Sequence, residues 1–275
     1  MTDRLEALFN RFSIQANVFQ AGVLCGVNEI PTPSDAGQLH LIKSGTIELQ
    51  HQNAETLLIT EPSILLYPKP LPRQAISSRD HGAELVCANL HFDGGSANPI
   101  VTALPAVYCV PVSELDGSES ILRLLFAEAF DTRCGRQALI NRLFESVLIL
   151  VLRHVMESNQ VNSGMLAGMA HQKLRKALVA VHEQPSEPWT LESLAKVSGM
   201  SRSVFATEFR QTVGCTPGSY LQNWRIRLAQ HAIRSGQSFK MVVAEIGYGS
   251  EAAFSRAFKS QTGVTPREWR EKLSA

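Results

Sequence analysis

Two short segments in the C-terminal half carry side chains that suit contact with a nucleic acid. Each segment places polar and small residues at helical spacing, opposite a stripe of apolar residues. In the first segment these residues are Arg202, Ser203, Ala206, Thr207 and Arg210. In the second segment they are Glu251, Ala252, Ser255, Arg256 and Lys259. The alternative is that the charged side chains only keep an exposed helix face solvated.

The two sets differ in the chemistry that they offer to a duplex. Arg256 can pair with guanine, and Glu251 can accept a hydrogen bond from a cytosine amino group. The serine, alanine and threonine of the first set make weaker base contacts, such as packing on a thymine methyl group. Cations that bind phosphates instead set the register of a protein on DNA. We assign that role to Arg202, Arg210, Arg225 and Lys259.

An internal repeat at an offset of 49 residues predicts the elements that carry these two sets. The positions Phe205, Phe209, Gly214, Thr216, Pro217 and Tyr220 recur as Phe254, Phe258, Gly263, Thr265, Pro266 and Trp269. Each copy predicts two short helices joined by a glycine-containing turn, over about 190–213 and about 238–260, which is typical of a helix-turn-helix unit. A connecting helix begins at Thr216-Pro217, and we expect Gly236 to close it after about Ser235. Such a helix, about 28 Å long, separates the two units by roughly one turn of DNA.

The charge distribution divides the chain into two domains. The whole sequence of 275 residues has a net charge of +1, but residues 161–275 contain 15 Lys and Arg against 8 Glu and no Asp. Residues 1–160 contain 11 Lys and Arg against 17 Asp and Glu. A basic half joined to an acidic half predicts a nucleic-acid-binding domain over 161–275 and a domain with a different task over 1–160.

The N-terminal half shows a change from strand-like to helical spacing. Short apolar runs interrupted by Gly, Pro, Asn and Asp, from Ile14 to Phe92, predict an antiparallel sandwich or small barrel. After Pro111 the spacing becomes helical, and a long helix is predicted over about 136–158. Its apolar stripe is wide enough to form either a core helix packed on the sheet or the seam of a homodimer. A polar linker follows from Asn159 to Ser163.

Cys25, His40 and Cys87 fall on three predicted strands, and three interpretations are open. Thiolate and imidazole ligands suit Zn²⁺, two neighbouring thiols suit oxidation sensing, and free cysteines are common as small buried residues. Arg73 can hold a small organic ligand in the same domain, whichever of the three applies. The histidines of this region form no HxH pair. We therefore do not expect a metal-dependent enzyme, and we expect no required cofactor.

Residues 172–272 resemble the C-terminal DNA-binding domain of AraC/XylS-type bacterial transcription regulators. The motifs that carry this resemblance are Ala244–Ser250, Phe254–Phe258 and Gly263–Pro266. The N-terminal half is similar, less specifically, to the cupin-type sensory domain of the same family, through Leu24–Gly26 and Ile64–Pro68. The resemblance implies an α+β protein. It would have an N-terminal cupin-like antiparallel β-barrel with a helical dimerisation segment, and a C-terminal all-α double helix-turn-helix domain.

The resemblance also implies roles and partners. The family's base-reading positions fall on Ser203, Ala206 and Thr207, and on Glu251, Ala252, Ser255 and Arg256. The implied partners are double-stranded DNA, a second copy of the chain, a small-molecule effector and, for an activator, RNA polymerase. Some regulators of this type respond to reactive chlorine species, which agrees with the oxidation-sensing alternative. The competing function is a metal-dependent cupin enzyme fused to a DNA-binding domain.

Neither a signal peptide nor a membrane-spanning segment is expected. Charged side chains occur from Asp3 to Arg11, and the densest apolar run, Val147–Leu152, has six residues. A spanning helix needs about 20. The five cysteines form no CxxC pair, which argues against a disulfide framework. We therefore expect a cytoplasmic protein with no membrane partner.

Overall fold

Two antiparallel sheets form most of the N-terminal half. The computed structural model describes residues 3–52, 55–158 and 163–273. The strands are β1 (Ile14–Leu24), β2 (Gly26–Glu29), β3 (Gly37–Gly45), β4 (Ile47–His51), β5 (Leu57–Ile59), β6 (Ser63–Tyr67), β7 (Arg73–Ser77), β8 (Ala83–Phe92) and β9 (Tyr108–Pro111). One sheet has the order β1-β8-β3-β6-β9 and the other the order β2-β7-β4-β5. This architecture confirms the predicted cupin-like antiparallel fold.

The core of this fold lies between the two sheets. β6 is buried at every residue, and β3 is buried over its first six residues, as strands covered on both faces should be. The buried cluster between the sheets includes Ile42, Ile47, Leu65, Leu85 and Cys87. β1 and β8 pair from Ile14 opposite Phe92 to Leu24 opposite Ala83, with one irregularity between Val18 and Gln20.

A helical hairpin covers the open edge of the first sheet. It consists of α3 (Ser118–Ala129) and α4 (Arg136–Glu157), which pack on each other, and α4 also packs on the edge strand β1. Asn141 and Glu145 of α4 accept hydrogen bonds from the backbone N–H groups of Val18 (3.1 Å) and Ala16 (3.2 Å). These side chains satisfy donors that an edge strand otherwise exposes.

The apolar stripe of α4 is part of the core of a single chain. Ile140, Phe144, Val147 and Leu148 are fully buried, whereas Leu139 is 41% exposed. Of the two interpretations of this stripe, packing within the chain is therefore the one that the structure supports. The stripe residues from Ile140 to Val155 are not available as a homodimer seam.

The chain divides into two compact units, and no single cut in the sequence separates them. The sheet unit consists of residues 14–96 and 104–158. The helical unit consists of the described residues 3–13, 97–103 and 163–273. The predicted boundary between residues 160 and 161, and nearly all of the predicted linker, lie outside the described residues.

The helical unit contains the predicted repeat. Its helices are α1 (Glu6–Arg11), α2 (Pro99–Ala103), α5 (Met165–Ala170), α6 (Leu174–Glu183), α7 (Leu191–Val197), α8 (Arg202–Val213), α9 (Pro217–Arg234), α10 (Phe239–Ile246), α11 (Glu251–Thr262) and α12 (Pro266–Leu273). α7 with α8, and α10 with α11, are the two helix-turn-helix units. α9 is the connecting helix, and its 18 residues span about 27 Å. Among the described residues, no helix has both the length and the apolar character needed to cross a bilayer.

Residues close in sequence cap several helices of this unit. Thr190 and Ser193 form a reciprocal capping box at α7, and Thr265 and Glu268 form another at α12, with bonds of 2.7 and 3.2 Å. Gly236 adopts a φ of +80° just after α9, in the left-handed region that favours glycine. Such caps satisfy backbone groups that helix ends leave without a partner.

Aromatic pairs fill the core of each helix-turn-helix unit. The ring centres of Phe205 and Phe209 lie 5.5 Å apart, and those of Phe254 and Phe258 lie 5.6 Å apart. All four rings are buried. Val204, although apolar, is 47% exposed. It lies about 100° around α8 from Phe205 and therefore faces away from the core.

We predict that Val147→Asp abolishes stable folding, because it places a carboxylate at a fully buried position of the apolar stripe of α4. The expected loss of unfolding free energy exceeds about 3 kcal/mol. Leu139→Asp is the matched control on the same helix and should stay soluble and folded. Urea denaturation and the soluble fraction after expression measure both effects. Equal stability of the two variants would contradict the core assignment.

Candidate functional site

The first helix-turn-helix unit presents its predicted contact residues on one side of α8. Ser201 caps the helix by accepting a hydrogen bond from the N–H of Val204 (3.4 Å), while Phe205, Phe209 and Val213 hold the opposite side in the core. The side chains at the surface are Arg202, Ser203, Thr207 and Arg210, and Ala206 is half-buried beside them. α8 therefore offers two cations around a mild set of hydroxyl and methyl groups.

The second unit repeats this arrangement on α11. Ser250 accepts a hydrogen bond from the N–H of Ala253 (3.2 Å), and Phe254 and Phe258 face the core. The exposed residues are Glu251, Ala252, Arg256 and Lys259, and Ser255 is half-buried. This surface contains an acceptor and an arginine that can each distinguish bases. The structure thus brings both predicted sets to exposed helix faces, and their contact with DNA stays a prediction.

Arg225 occupies a different environment from the other predicted phosphate contacts. Its guanidinium donates hydrogen bonds to the carbonyls of Pro185 (2.7 Å) and Glu187 (2.8 Å). It also lies 5.7 Å from the centre of the Tyr248 ring. Partial burial lowers the pKa of Arg225, with Tyr248 opposing that change. Arg225 is therefore engaged inside the helical unit and does not belong to the exposed contact surface.

In the sheet unit, the three residues predicted to meet are only partly brought together. His40 and Cys87 are opposite each other on β3 and β8, and the distance from Nδ1 of His40 to Sγ of Cys87 is 2.8 Å. Cys87 is opposite Gln20 on β1, five residues before Cys25. The last pair of these strands is Leu24 opposite Ala83, four residues from Cys87 on β8, and Cys25 comes after Leu24. At about 3.3 Å per residue, the end of β1 next to Cys25 is therefore about 13 Å from Cys87 along the sheet.

This separation removes the two interpretations that needed both thiols. A disulfide requires Cα atoms within about 7 Å, and a zinc site requires ligands around one ion. Within the part of the chain that the structure describes, no group of three or more His, Cys, Asp or Glu side chains is placed to hold a metal. The third interpretation, that the cysteines are small buried residues, fits Cys87, which is buried. It does not fit Cys25, which is exposed.

Arg73 is the centre of a buried polar network inside the sheet unit. Its side chain is 5% exposed and donates hydrogen bonds to the carbonyl of Leu71 (2.9 Å), to Oε1 of Gln38 (2.5 Å) and to Nε2 of His40. The guanidinium carbon lies 3.8 Å from the centre of the Tyr67 ring. The Nε atom of Arg73 makes no hydrogen bond. None of these partners carries a negative charge, so Arg73 is a buried cation with neutral partners.

The protonation states of the network follow from burial. Burial, reinforced by Arg73, holds the pKa of His40 well below its ordinary value, so its imidazole is neutral. Because Nε2 of His40 accepts from Arg73, its proton is on Nδ1 and donates to the sulfur of Cys87. Burial raises the pKa of Cys87 to about 12 and that of Tyr67 to about 12, with Arg73 opposing both changes. Cys87 is therefore a neutral thiol.

A cavity of about 640 Å³ lies beside Arg73 in the sheet unit. Arg73 and His51 line it, together with Pro31, Thr32, Gln74 and one carboxylate, that of Glu29. Nε2 of His51 lies 2.8 Å from the hydroxyl of Tyr67, which connects the cavity wall to the ring that stacks on Arg73. Sequence reasoning identified Arg73 but missed Gln38, His51 and Tyr67. The position of Gln38 two residues before His40 on one strand was the available signal, because such residues share a face.

Comparison with known proteins shows two matching families. Residues 3–157 match the family described as Cupin, and residues 194–272 match the family described as Helix-turn-helix domain. The HTH-type transcriptional regulator AlkR of Acinetobacter baylyi is 33% identical over 247 residues, which are 86% of this chain and 80% of AlkR. The RCS-specific HTH-type transcriptional activator RclR of Escherichia coli is 27% identical over 251 residues, 88% of each chain. The crystal structure of ToxT from Vibrio cholerae O395 aligns over 97% of this chain and 99% of ToxT, with 13% identity and a TM-score of 0.41.

The environments of the cysteines predict how they react with N-ethylmaleimide. Cys25 and Cys134 are exposed and should be modified first. Cys87 should react only after unfolding, because its sulfur is buried and the thiolate that attacks is scarce. Mass spectrometry of the folded protein over time measures the sites, and Cys25→Ser should remove one rapid addition. Rapid modification of Cys87 in the folded protein would contradict the assigned neutral thiol.

Proposed function

This chain belongs to the AraC family of helix-turn-helix transcriptional regulators with an N-terminal cupin domain, and we propose that it binds its operator through both α8 and α11. It acts as a DNA-binding regulator. The observation that carries the two-helix proposal is the repetition of one exposed contact face on two recognition helices of a single unit. The connecting helix α9, about 27 Å long, is close to the length of one DNA turn, so the two helices suit successive major grooves.

The two recognition helices contribute differently in this proposal. Arg256 and Glu251 of α11 read base edges, because arginine can pair bidentately with guanine and glutamate can accept from cytosine. Ser203, Ala206 and Thr207 of α8 make weaker base contacts, as do Ala252 and Ser255 of α11. Arg202, Arg210 and Lys259 bind phosphates, which adds affinity that depends strongly on salt. Arg225 is left out of this set, because its donors are bound to backbone carbonyls.

Other partners are proposed from the family alone. We propose a homodimer in the cytoplasm that contacts RNA polymerase when it activates transcription. Because the apolar stripe of α4 is buried within one chain, a dimer contact in this region uses other residues of the α3–α4 hairpin. Leu124 and Leu139 are exposed apolar residues there.

We predict that Arg256→Ala and Arg210→Ala weaken DNA binding in different ways. Arg256→Ala should lose about 1–3 kcal/mol of preference at one base position. Arg210→Ala should weaken binding to all sequences alike and reduce the slope of log K against log salt by about 1. The probe is a duplex selected from a randomised pool by the wild-type protein, and fluorescence anisotropy at several salt concentrations gives both quantities.

The control for both variants is Arg133→Ala, which removes a charge from an exposed position in the sheet unit. It should leave affinity and salt slope unchanged. If Arg256→Ala keeps the wild-type preference at every base while Arg210→Ala changes it, the assigned roles are reversed.

For the sheet unit we propose that the cavity beside Arg73 binds a small anionic effector. A guanidinium taken out of water without a counter-charge is costly, and an anionic group within the cavity would offset that cost. Arginine suits carboxylates because its planar donors match two oxygens at once. His51 and Gln74 in the cavity wall add polar groups that can orient such a ligand. Because both ring nitrogens of His40 are engaged, one with Cys87 and the other with Arg73, binding is favoured over metal-dependent catalysis.

This proposal predicts that carboxylates stabilise the protein and that neutral amides of the same shape do not. Benzoate and butyrate should raise the melting temperature of the wild-type protein by a few degrees at concentrations well above Kd, since a ligand that binds only the folded state stabilises it. Benzamide and butyramide should have no effect. Arg73→Gln should remove the response to benzoate, and the exposed Arg79→Gln should retain it. An equal response to acids and amides, or one that survives in Arg73→Gln, would refute an anion site at Arg73.

A further inference from the structure

The loop between α6 and α7 leads directly into the first helix-turn-helix unit. It covers residues 184–190 and is held by its own hydrogen bonds. The indole N–H of Trp189 donates to the carbonyl of Gln184 (2.8 Å), and Thr190 caps α7. The direction in which α7 and then α8 leave this loop therefore depends on where the loop is fixed.

The connecting helix and the second unit both fix that loop. Arg225, at the middle of α9, donates to the carbonyls of Pro185 and Glu187 on either side of Ser186. The same guanidinium lies 5.7 Å from the ring centre of Tyr248, in the turn between α10 and α11. Tyr248 in turn packs on Phe254 of α11, with ring centres 5.7 Å apart. One side chain on α9 therefore contacts both the entry to the first unit and the turn of the second.

The turn of the second unit also contacts the loop directly. Gly247 has a φ of +78°, and a Cβ at this position would lie 2.4 Å from the carbonyl oxygen and 2.6 Å from the Cα of Ser186. These are backbone atoms, so no side-chain rotation relieves the overlap. Glycine is needed at position 247 both for its backbone angle and for this close approach.

We propose that this clasp, formed by Pro185, Ser186, Glu187, Arg225, Gly247 and Tyr248, sets the number of base pairs that the protein accepts between the DNA segments bound by α8 and by α11 of the same chain. The clasp fixes the separation and relative orientation of α8 and α11. It rests on the proposed binding of both helices to one duplex. Arg225 and Gly247 act as positioning residues that touch no DNA.

The geometry of DNA makes such a fixed pair of helices sensitive to spacing. One added base pair moves the second half-site by about 3.4 Å and turns it by about 34° around the axis. Two recognition helices that cannot move relative to each other lose the contacts of one helix after such a change. Two helices that can adjust keep more of those contacts, at the cost of weaker binding to the preferred spacing.

The test compares affinity for the preferred spacing with affinity for altered spacings. A duplex is selected from a randomised pool by the full-length wild-type protein, and footprinting identifies the two segments that one copy of the chain contacts. One or two base pairs are then inserted or deleted between those segments. For the wild-type protein we expect each single change to weaken binding by about tenfold or more, comparable to a mismatch in a site.

The variants are Arg225→Gln, Arg225→Lys and Gly247→Ala, with Arg227→Gln as the control on the same helix. Arg227 bonds to Ala97 and Thr102 and not to the loop, so its variant should keep the wild-type spacing penalty. Arg225→Gln and Gly247→Ala should bind the preferred duplex less tightly and lose most of the penalty, to within about threefold across the series. Arg225→Lys keeps a donor for one carbonyl, so its spacing penalty should lie between that of the wild-type protein and that of Arg225→Gln. If Gly247→Ala does not fold, the two Arg225 variants decide the question.

Two outcomes would overturn the proposal, and they differ from a failure of the proposed function. If folded Arg225 variants keep the full wild-type spacing penalty, α9 alone fixes the two helices. If the wild-type protein binds the selected duplex with no spacing penalty, the orientation of the helices does not limit binding. Failure to select any duplex, or a footprint that covers one half-site only, would instead refute binding through both helices.

Discussion

A guanidinium keeps its positive charge at any physiological pH, so a fold that buries one must supply acceptors around it. Each unit of this protein holds one guanidinium away from bulk water, Arg73 buried and Arg225 half-buried. In the helical unit, Arg225 donates to the backbone carbonyls of Pro185 and Glu187 in the loop after α6. In the sheet unit, Arg73 is satisfied by Gln38, His40 and the face of the Tyr67 ring, which accept hydrogen bonds or stack without balancing the charge. The first arrangement is complete in itself, and the second leaves a charge that a ligand can neutralise.

Much of the helical unit could be predicted because its signals act over a few residues. A cap at Thr190 or Thr265 needs only the chain three residues further on, and the aromatic spacing of Phe254 and Phe258 needs only one turn of helix. The repeat at an offset of 49 residues then doubled the evidence for each element. The sheet architecture was predictable for the same reason, since apolar runs and turn residues mark strands locally.

The features that were not predictable depend on pairings between distant parts of the chain. Cys87 lies on a strand as predicted and Cys25 lies between β1 and β2, but only the register of β1 with β8 separates the two thiols along the sheet. Arg225 has the composition of a phosphate contact, and a loop 40 residues earlier determines that its donors are already used. In the same way, the choice between core and seam for α4 depended on whether β1 and α3 cover its stripe. None of these contacts can be predicted from a short stretch of sequence, because each depends on residues far apart in the chain.

The helical unit is formed by three separate stretches of chain, which limits how the protein can be divided into fragments. Residues 3–13 and 97–103 belong to that unit although they come before and within the strand sequence. The ring of Phe12 lies 5.6 Å from that of Trp224 and 5.7 Å from that of His231 on α9, and Thr102 accepts a hydrogen bond from Arg227 (2.9 Å). A fragment begun at residue 163 would expose the aromatic face of α9 to water. An exchange of DNA-binding domains between relatives would therefore have to transplant three separate stretches of chain, and a chimera joined at one point would combine surfaces that were never matched.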